Sequence, residues 1–475
     1  MHETKNILKG DLKKVILKLS WPMMISNLLQ ATYNITDTFW VGRLGSYAIA
    51  AVTISFPLVF VMIAIAMGIG VGGSILISHA AGKAFKTKKE KDKKQINLIT
   101  SQTFVLLFLA AIAVSIIGFL LAPNIVSLLS SEQAVFESAV IYMRTIFIGF
   151  SFMILYYVFE AALRALGNTK TPMKFVLISV LINVILDPIL IFGLGPFPRM
   201  GVFGAALATV ISRAIISLIA LYHLIKGTYG IRFELGFLKP KIKIIKDILK
   251  LGIPTTFEMG SIAIGSFMIT YIVGVLGTAT LAAFGIVTRL FSFFMIPSLA
   301  ISVAISTIVA QNFGAGNIKR AFNSLKESVK LGFKIIFFMS FFVFMFSRQI
   351  VSAFTVDADV IYLGTLFLRI ISPFIILGFG RHVFIGFFRG IKRTDISMVV
   401  SIINHFILRI GGAYVLAFVL NLGAIGLWWS YPSMMFLSLI ITYFIYLRVK
   451  KNIIKKKLDV ESIILESEAE SEIVE

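Results

Sequence analysis

The chain contains no cysteine. Disulfide frameworks, thiolate nucleophiles and cysteine-held metals are therefore excluded, and the redox state of the compartment leaves no trace. Histidine is scarce as well: five residues, too scattered to suggest a metal site. Charged residues make up only 14% of the 475 positions, and acids are the rarer sign, with 23 Asp and Glu against 45 Lys and Arg. What takes their place is apolar: 58% of residues are hydrophobic and the mean hydropathy is +0.94. A soluble chain of this length does not stay so apolar throughout. Repeated apolar segments of about 20 residues imply a polytopic helical membrane protein. A transmembrane barrel would show short alternating segments instead. The net charge of +22 lies between the apolar spans, which assigns it to loops facing the cytoplasm and gives no reason to expect a nucleic-acid partner. No cleavable leader is evident, because Lys5, Lys9, Lys13, Lys14 and Lys18 lead straight into a full-length span.

Hydropathy places twelve spans, near 15–40, 47–80, 97–122, 134–162, 173–194, 203–226, 248–274, 279–310, 327–347, 360–388, 395–420 and 422–447. The connections alternate in charge. Segment 83–95 carries seven lysines, the next has neither Lys nor Arg, and basic residues return in every second loop, with Arg389 among the loop cations near 389–393. The positive-inside rule then puts both termini in the cytoplasm and the chain in the cell membrane as a multi-pass protein. The Glu- and Ser-rich tail from Asp459 reads as a solvated extension.

The chain also repeats itself. Shifted by 232 residues, VILKLSWP at 15–22 falls on DILKLGIP at 247–254, VGRLG at 41–45 on VGVLG at 273–277, and Gly82 on Gly314. Over 38 positions from Val15, 13 are identical, against about four expected by chance in such apolar sequence. LRALGNTKTPM at 163–173 aligns with FRGIKRTDISM at 388–398 at a shift of 225. The expected organisation is an amino-terminal six-helix lobe at 1–226, a basic linker at 227–246, a carboxy-terminal six-helix lobe at 247–447 and a basic-then-acidic tail at 448–475. Six is even, so both lobes insert the same way, related by a pseudo-two-fold axis along the membrane normal around a central cleft. Pro22 and its counterpart Pro254 lie early in their spans, where proline acts as a static kink or as a hinge.

The chemistry concentrates in LINVILDPILIF at 181–192, where Asp187 follows Asn183 by one helical turn and shares its face. An acid near mid-membrane costs about 2.5–3.5 kcal/mol on insertion scales, so it faces a protein interior or an aqueous cavity. A salt-bridged acid at a kink beside Pro188 is one reading; an ion or proton site is the other. The remaining membrane acids of this half are Asp37, in YNITDTFW, and Glu160. Asp37 matches Ile269 in the repeat, while Glu258 of the second half matches Ser26. Two carboxylates brought together in low dielectric hold a proton or bind a neutralising cation. Asn183 and Thr209 are candidate neutral ligands for a hard cation. Spacing alone does not bring Asp37 to Asp187.

ILKGDLKKVILKLSWPMM, YNITDTFWVGRLG, LRALGNTKTPM and LINVILDP followed by GAALAT together resemble a multidrug and toxic compound extrusion (MATE) transporter, across roughly residues 7–447 and closest to the prokaryotic DinF-like branch. The resemblance implies two six-helix lobes around a cleft, no enzymatic activity and no cofactor beyond a coupling ion, H⁺ or Na⁺. It implies export of small organic, typically cationic, compounds by a monomer embedded in the bilayer. By motif, Asp37, Asn183, Asp187 and Thr209 resemble the family's cation or proton site, which also serves as a possible Na⁺ site. Pro22 resembles its first-helix bending proline, and Glu258 its seventh-helix acid. Glu160 stands where related members carry an asparagine; it joins the site or pairs with Arg164 at i+4. Tyr33 and Asn34 are candidate substrate-facing residues beside Asp37.

In the second half Arg409 is an intramembrane base with His405 one turn earlier and His382 on the preceding span. A buried arginine needs a counter-charge, and Glu258 is the candidate. His405 is a titrating group or a structural hydrogen-bonder. The alternative function is a flippase for lipid or polysaccharide precursors, which calls for a basic cavity and draws on Arg144, Arg369, Arg381 and Arg409. An intramembrane acyltransferase would need a nucleophile–base constellation or paired metal ligands, and the sequence offers neither.

Overall fold

The computed structural model describes residues 2–129 and 132–473, and its regular structure is helical. A short helix α1 (His2–Lys9) precedes α2 (Leu12–Gly42), α3 (Ser46–Thr87), α4 (Glu90–Ser127), α5 (Gln133–Ala165), α6 (Lys170–Phe192) and α7 (Gly201–Lys226). The second set is α8 (Ile242–Val275), α9 (Thr278–Gly314), α10 (Ile318–Met345), the short α11 (Ser347–Ser352), α12 (Ala358–Gly390), α13 (Thr394–Val419) and α14 (Gly423–Ile473). Among the described residues, 11 helices are long and apolar enough to cross a membrane. The twelfth is α2, whose 31 residues suffice for length while its Asn, Gln, Thr and Asp side chains depress its hydropathy.

Local sequence explains the helix ends. Asp11 caps α2, its carboxylate accepting the Lys14 N–H at 3.0 Å. Gly193 and Gly227 end α6 and α7 in the left-handed conformation that glycine adopts without strain. The lysine-rich segment at 83–95 is two helix ends joined at Lys88 and Lys89, pinned where Asp92 accepts from Thr87 (2.7 Å) and pairs with Lys83 (3.1 Å). Helix α10 begins at Ile318, well before the span read near 327, because Arg320, Lys326 and Lys330 hide its first turns from a hydropathy window. The basic linker gives way to α8 at Ile242, five residues earlier than expected, and is held down rather than loose. Gln102 of α4 donates to the carbonyls of Phe237 (2.6 Å) and Lys239 (2.8 Å) and accepts the Lys241 N–H (2.6 Å). The tail continues α14 to Ile473, and its last two residues lie outside the described ones.

Pro22 sits inside α2 and removes the N–H that would bond the Lys18 carbonyl. Thr169, from the turn before α6, directs its hydroxyl to that carbonyl at 3.5 Å. The amino-terminal end of α2 thus leans on α6, and Val15, Ile16 and Leu19 form a small core with Ala304 and Ile308 of α9.

The main cores are separate. One gathers residues from Val41 to Ile248, another those from Ile269 to Val449. Between them α3 crosses α9 with almost no side chain in the way. A Cβ at Gly82 would strike the Gln311 carbonyl, and one at Gly314 would strike that of His79. His79 and Gln311 are themselves repeat partners. His79 Nε2 donates to the Gly390 carbonyl (2.8 Å), and Gln311 Nε2 donates to the Ala165 carbonyl (2.7 Å). Ala165 and Gly390 are again equivalent, at the shift of 225. The crossing is therefore a symmetric pair of contacts at the end of the bundle where the basic segments emerge.

Gly82→Ala and Gly314→Ala are each expected to lower the thermal unfolding midpoint of the detergent-purified protein, since overpacking against backbone costs about 1–3 kcal/mol. Gly260, whose added Cβ would meet open space, is the control, and Gly260→Ala should leave the midpoint level or slightly raised. Equal midpoints in all three would contradict the close crossing.

Candidate functional site

Three helices of the amino-terminal half each present two polar residues one turn apart to a common interior: Tyr33 and Asp37 on α2, Asn183 and Asp187 on α6, Thr209 and Arg213 on α7. Asn183 and Asp187 are fully buried, and Asp37 is 8% exposed. Asn183 Nδ2 donates to Asp187 Oδ1 at 3.0 Å. Tyr33 donates its hydroxyl proton to Thr209 Oγ1 at 2.6 Å. Arg213 lies 5.2 Å from the Tyr33 ring centre and donates to Gln30 Oε1 at 2.5 Å, which ties α7 back to α2. Asp37 and Asp187 stand within reach of each other's charge, and buried Tyr142 of α5 stands within reach of both.

This cluster is short of hydrogen-bond donors. Asp37 Oδ1, Asp187 Oδ2 and Asn183 Oδ1 are buried acceptors without a partner among the described residues. An unsatisfied buried acceptor costs about 1–3 kcal/mol, more when charged. Two carboxylate oxygens, an amide oxygen and a nearby hydroxyl are the donor atoms a hard monovalent cation takes, and the same carboxylates can hold a proton.

Other expected residues sit elsewhere. Glu160 pairs with Arg164 at 3.2 Å, the i+4 alternative, with both side chains about a fifth exposed. Asn34 is exposed on α2. The sequence does not point to Arg213 or Tyr142 as members of this cluster. Arg213 carried a signal, a lone cation inside a span, whereas Tyr142 on α5 carried none, because its place depends on how α5 packs.

The carboxy-terminal half corrects one pairing. Glu258 of α8 binds Arg389 at 2.8 Å, with 5% and 8% of the two side chains exposed, and not Arg409. Hydropathy ends this span near 388 and leaves Arg389 among the loop cations; α12 instead runs on to Gly390 and buries it. Arg409 instead donates Nη2 to the Tyr431 hydroxyl at 2.7 Å and reaches Ser266 Oγ at 3.5 Å. His405 is 8% exposed with neither ring nitrogen partnered. Arg381, 7% exposed, places Nη2 3.1 Å from His382 Nε2.

The family profile described as MatE matches residues 22–189 and 254–415, two blocks that begin at the repeat-equivalent prolines. The chain is 29% identical over 429 residues to a probable multidrug resistance protein, YoeA, of Bacillus subtilis, covering 90% of this chain and 91% of that one. It is 28% identical over 424 residues to a probable multidrug resistance protein, NorM, of Thermotoga maritima, covering 88% of each. A solved structure of MATE in the straight conformation superposes with a TM-score of 0.87 at 27% identity, covering 95% of this chain and 98% of that one.

Glu258→Gln leaves the Arg389 guanidinium buried without its counter-charge, and breaking such a pair from one side costs about 3–5 kcal/mol. A clearly lowered unfolding midpoint is expected, with much of the loss recovered in Glu258→Gln/Arg389→Met. A double variant no more stable than Glu258→Gln would show that the pairing contributes little.

Proposed function

The chain belongs to the MatE family, whose members are membrane transporters rather than enzymes, and on that premise we propose that it exports small organic compounds against entry of H⁺ or Na⁺. The observation that carries this reading is the group of buried, unpartnered oxygens on Asp37, Asn183 and Asp187. A proton or Na⁺ arriving there would satisfy them, with the Thr209 hydroxyl as a further ligand. The relatives' names, probable multidrug resistance proteins, favour drug export over flipping of lipid-linked precursors. Organic cations are the proposed substrate class, because two membrane carboxylates attract them while the coupling ion is absent.

Coupling follows from differential occupancy. A ligand shifts a conformational equilibrium only by as much as it prefers one conformer. Binding at the oxygens draws α2 and α6 together, and α2 is the helix whose ladder is broken at Pro22. Thr169 on the Lys18 carbonyl is a bond that can be exchanged as α2 bends. The latches from His79 and Gln311 hold the lobes shut at the end that the basic segments mark as cytoplasmic. In this reading they must release before the cleft opens inward.

Efflux of a fluorescent organic cation from proteoliposomes, driven by a pH gradient or a sodium gradient imposed alone, tests the proposal. Asp37→Asn and Asp187→Asn should each reduce driven efflux by about ten-fold or more, the change expected from losing some 1.4 kcal/mol of ion binding. Thr209→Ala should have a smaller effect. Undiminished coupled efflux in both aspartate variants would sink the assignment, and the gradient that drives the native protein identifies the ion.

A further inference from the structure

The carboxy-terminal half encloses a second polar site of opposite sign. Helices α8, α9, α12, α13 and α14 line a cavity of ≈320 Å³, at the lower end of the range that holds small ligands. One wall is aromatic and sulfurous, with Phe284, Phe367, Tyr431 and Met434. Phe284 and Phe367 lie stacked, and Tyr431 meets Phe367 edge-on. The lining also carries Arg381, Arg409, His382, His405 and Asn404, with the Arg409 guanidinium 5.0 Å from the centre of the Tyr431 ring, and none of the described lining residues is acidic.

These groups are only partly satisfied within the cavity, where Arg381 Nη2 meets His382 Nε2 and Arg409 donates to Tyr431 and Ser266. Arg381 is 7% exposed and its Nη1 has no partner. Arg409 Nε is likewise unpartnered, as are both ring nitrogens of His405. Among the described residues no carboxylate forms an ion pair with either arginine, and Glu258, whose charge reaches Arg381, is already held by Arg389 at 2.8 Å. Arg381 and Arg389 therefore share one carboxylate, and among the described residues none is paired with Arg409. Isolated cations in low dielectric are costly, and a counter-ion is the direct remedy. Guanidinium groups match carboxylate geometry with paired donors. The scaffold does not require this chemistry: at the shift of 225, Arg409 corresponds to Val184 and Arg381 to Tyr156. His405 and Arg409 also lie in a π-wound stretch, Ile403–Gly411. Such wide turns are rare and frequently mark functional sites.

We propose that this cavity is a binding site for organic anions, taking a carboxylate or phosphate between Arg381 and Arg409 and an apolar or aromatic body against Phe284 and Phe367. The site stands apart from the cation site of the other half and does not rest on the export reading. Two sources supply this chemistry, a soluble aromatic acid and the headgroup of an anionic lipid.

The test uses the full chain in dodecyl maltoside and calorimetric binding of 2-naphthoate, its neutral isostere 2-naphthamide and cationic 2-naphthylmethylammonium. Naphthoate is expected to bind about ten-fold or more tightly than either of the other two. Arg381→Gln and Arg409→Gln should each weaken it by about ten-fold or more, and Arg409→Lys by less, since the charge stays while the fork is lost. Ser266→Asp leaves both arginines in place and puts a carboxylate against Arg409, so it should also block naphthoate without removing a buried cation. Equal affinity for naphthoate and naphthamide overturns the proposal, as does unchanged naphthoate binding in Ser266→Asp together with both Arg→Gln variants. Repeating the titration in phosphatidylcholine nanodiscs with and without phosphatidylglycerol separates the sources: competition by the anionic lipid identifies a headgroup as occupant, and its absence identifies the soluble acid. Failure of the export reading would appear as coupled efflux surviving Asp187→Asn, a result that leaves these titrations untouched.

Discussion

The crossing of α3 over α9 is the constraint on which the rest depends. Two glycines let the backbones meet, and two side chains, His79 and Gln311, each reach across to a carbonyl of the opposite half. The four backbone positions are exchanged by the sequence repeat, so the contact is made twice by one geometry. With α3 and α9 fixed this way, α8 packs on α3 through Gly68, Gly72 and Gly252, while α2 packs on α9 through Ile16 and Leu19. Packing in a membrane gains little from water exclusion, so close approach at small residues does much of the joining.

The duplicated scaffold carries unlike chemistry in its two halves. Arg164 and Arg389 are equivalent, and both are paired, one with Glu160 a turn away and the other with Glu258 from a different helix. Asp37 falls on Ile269, a fully buried core residue. At these positions the polar group is an addition to a core site rather than a part of the fold. The helix that bears Asn183 and Asp187 in the first half bears His405 and Arg409 in the second.

Much of this was legible in the sequence for a definite reason. Apolar length identifies the twelve spans because a helix must satisfy its own backbone in lipid, α2 being the least apolar of them, and the repeat supplies the pairing of halves. Asn183 and Asp187 are bonded as their one-turn spacing implied, and Glu160 meets Arg164 for the same local reason. Contacts between helices distant in sequence were less accessible. The sequence offers Arg409 as the partner of Glu258, whereas Glu258 binds Arg389, since burial of a helix's last turn is decided by what packs over it. The start of α10 was hidden by its cations. Tyr33 bonding Thr209, and Tyr142 standing behind the acids, depend on the relative rotation of α2, α5 and α7. No periodicity within one helix reports such a rotation.

The two halves also differ in the sign of their buried groups, with Asp37 and Asp187 inside the first and Arg381 and Arg409 lining the cavity of the second. Fixed charges of opposite sign in low-dielectric walls generate an electric field across the space between them. A passenger with a dipole would be turned by that field before touching either wall, its positive end toward α2 and its negative end toward α13. Neutralising the acids of the first half would weaken that field and loosen the alignment.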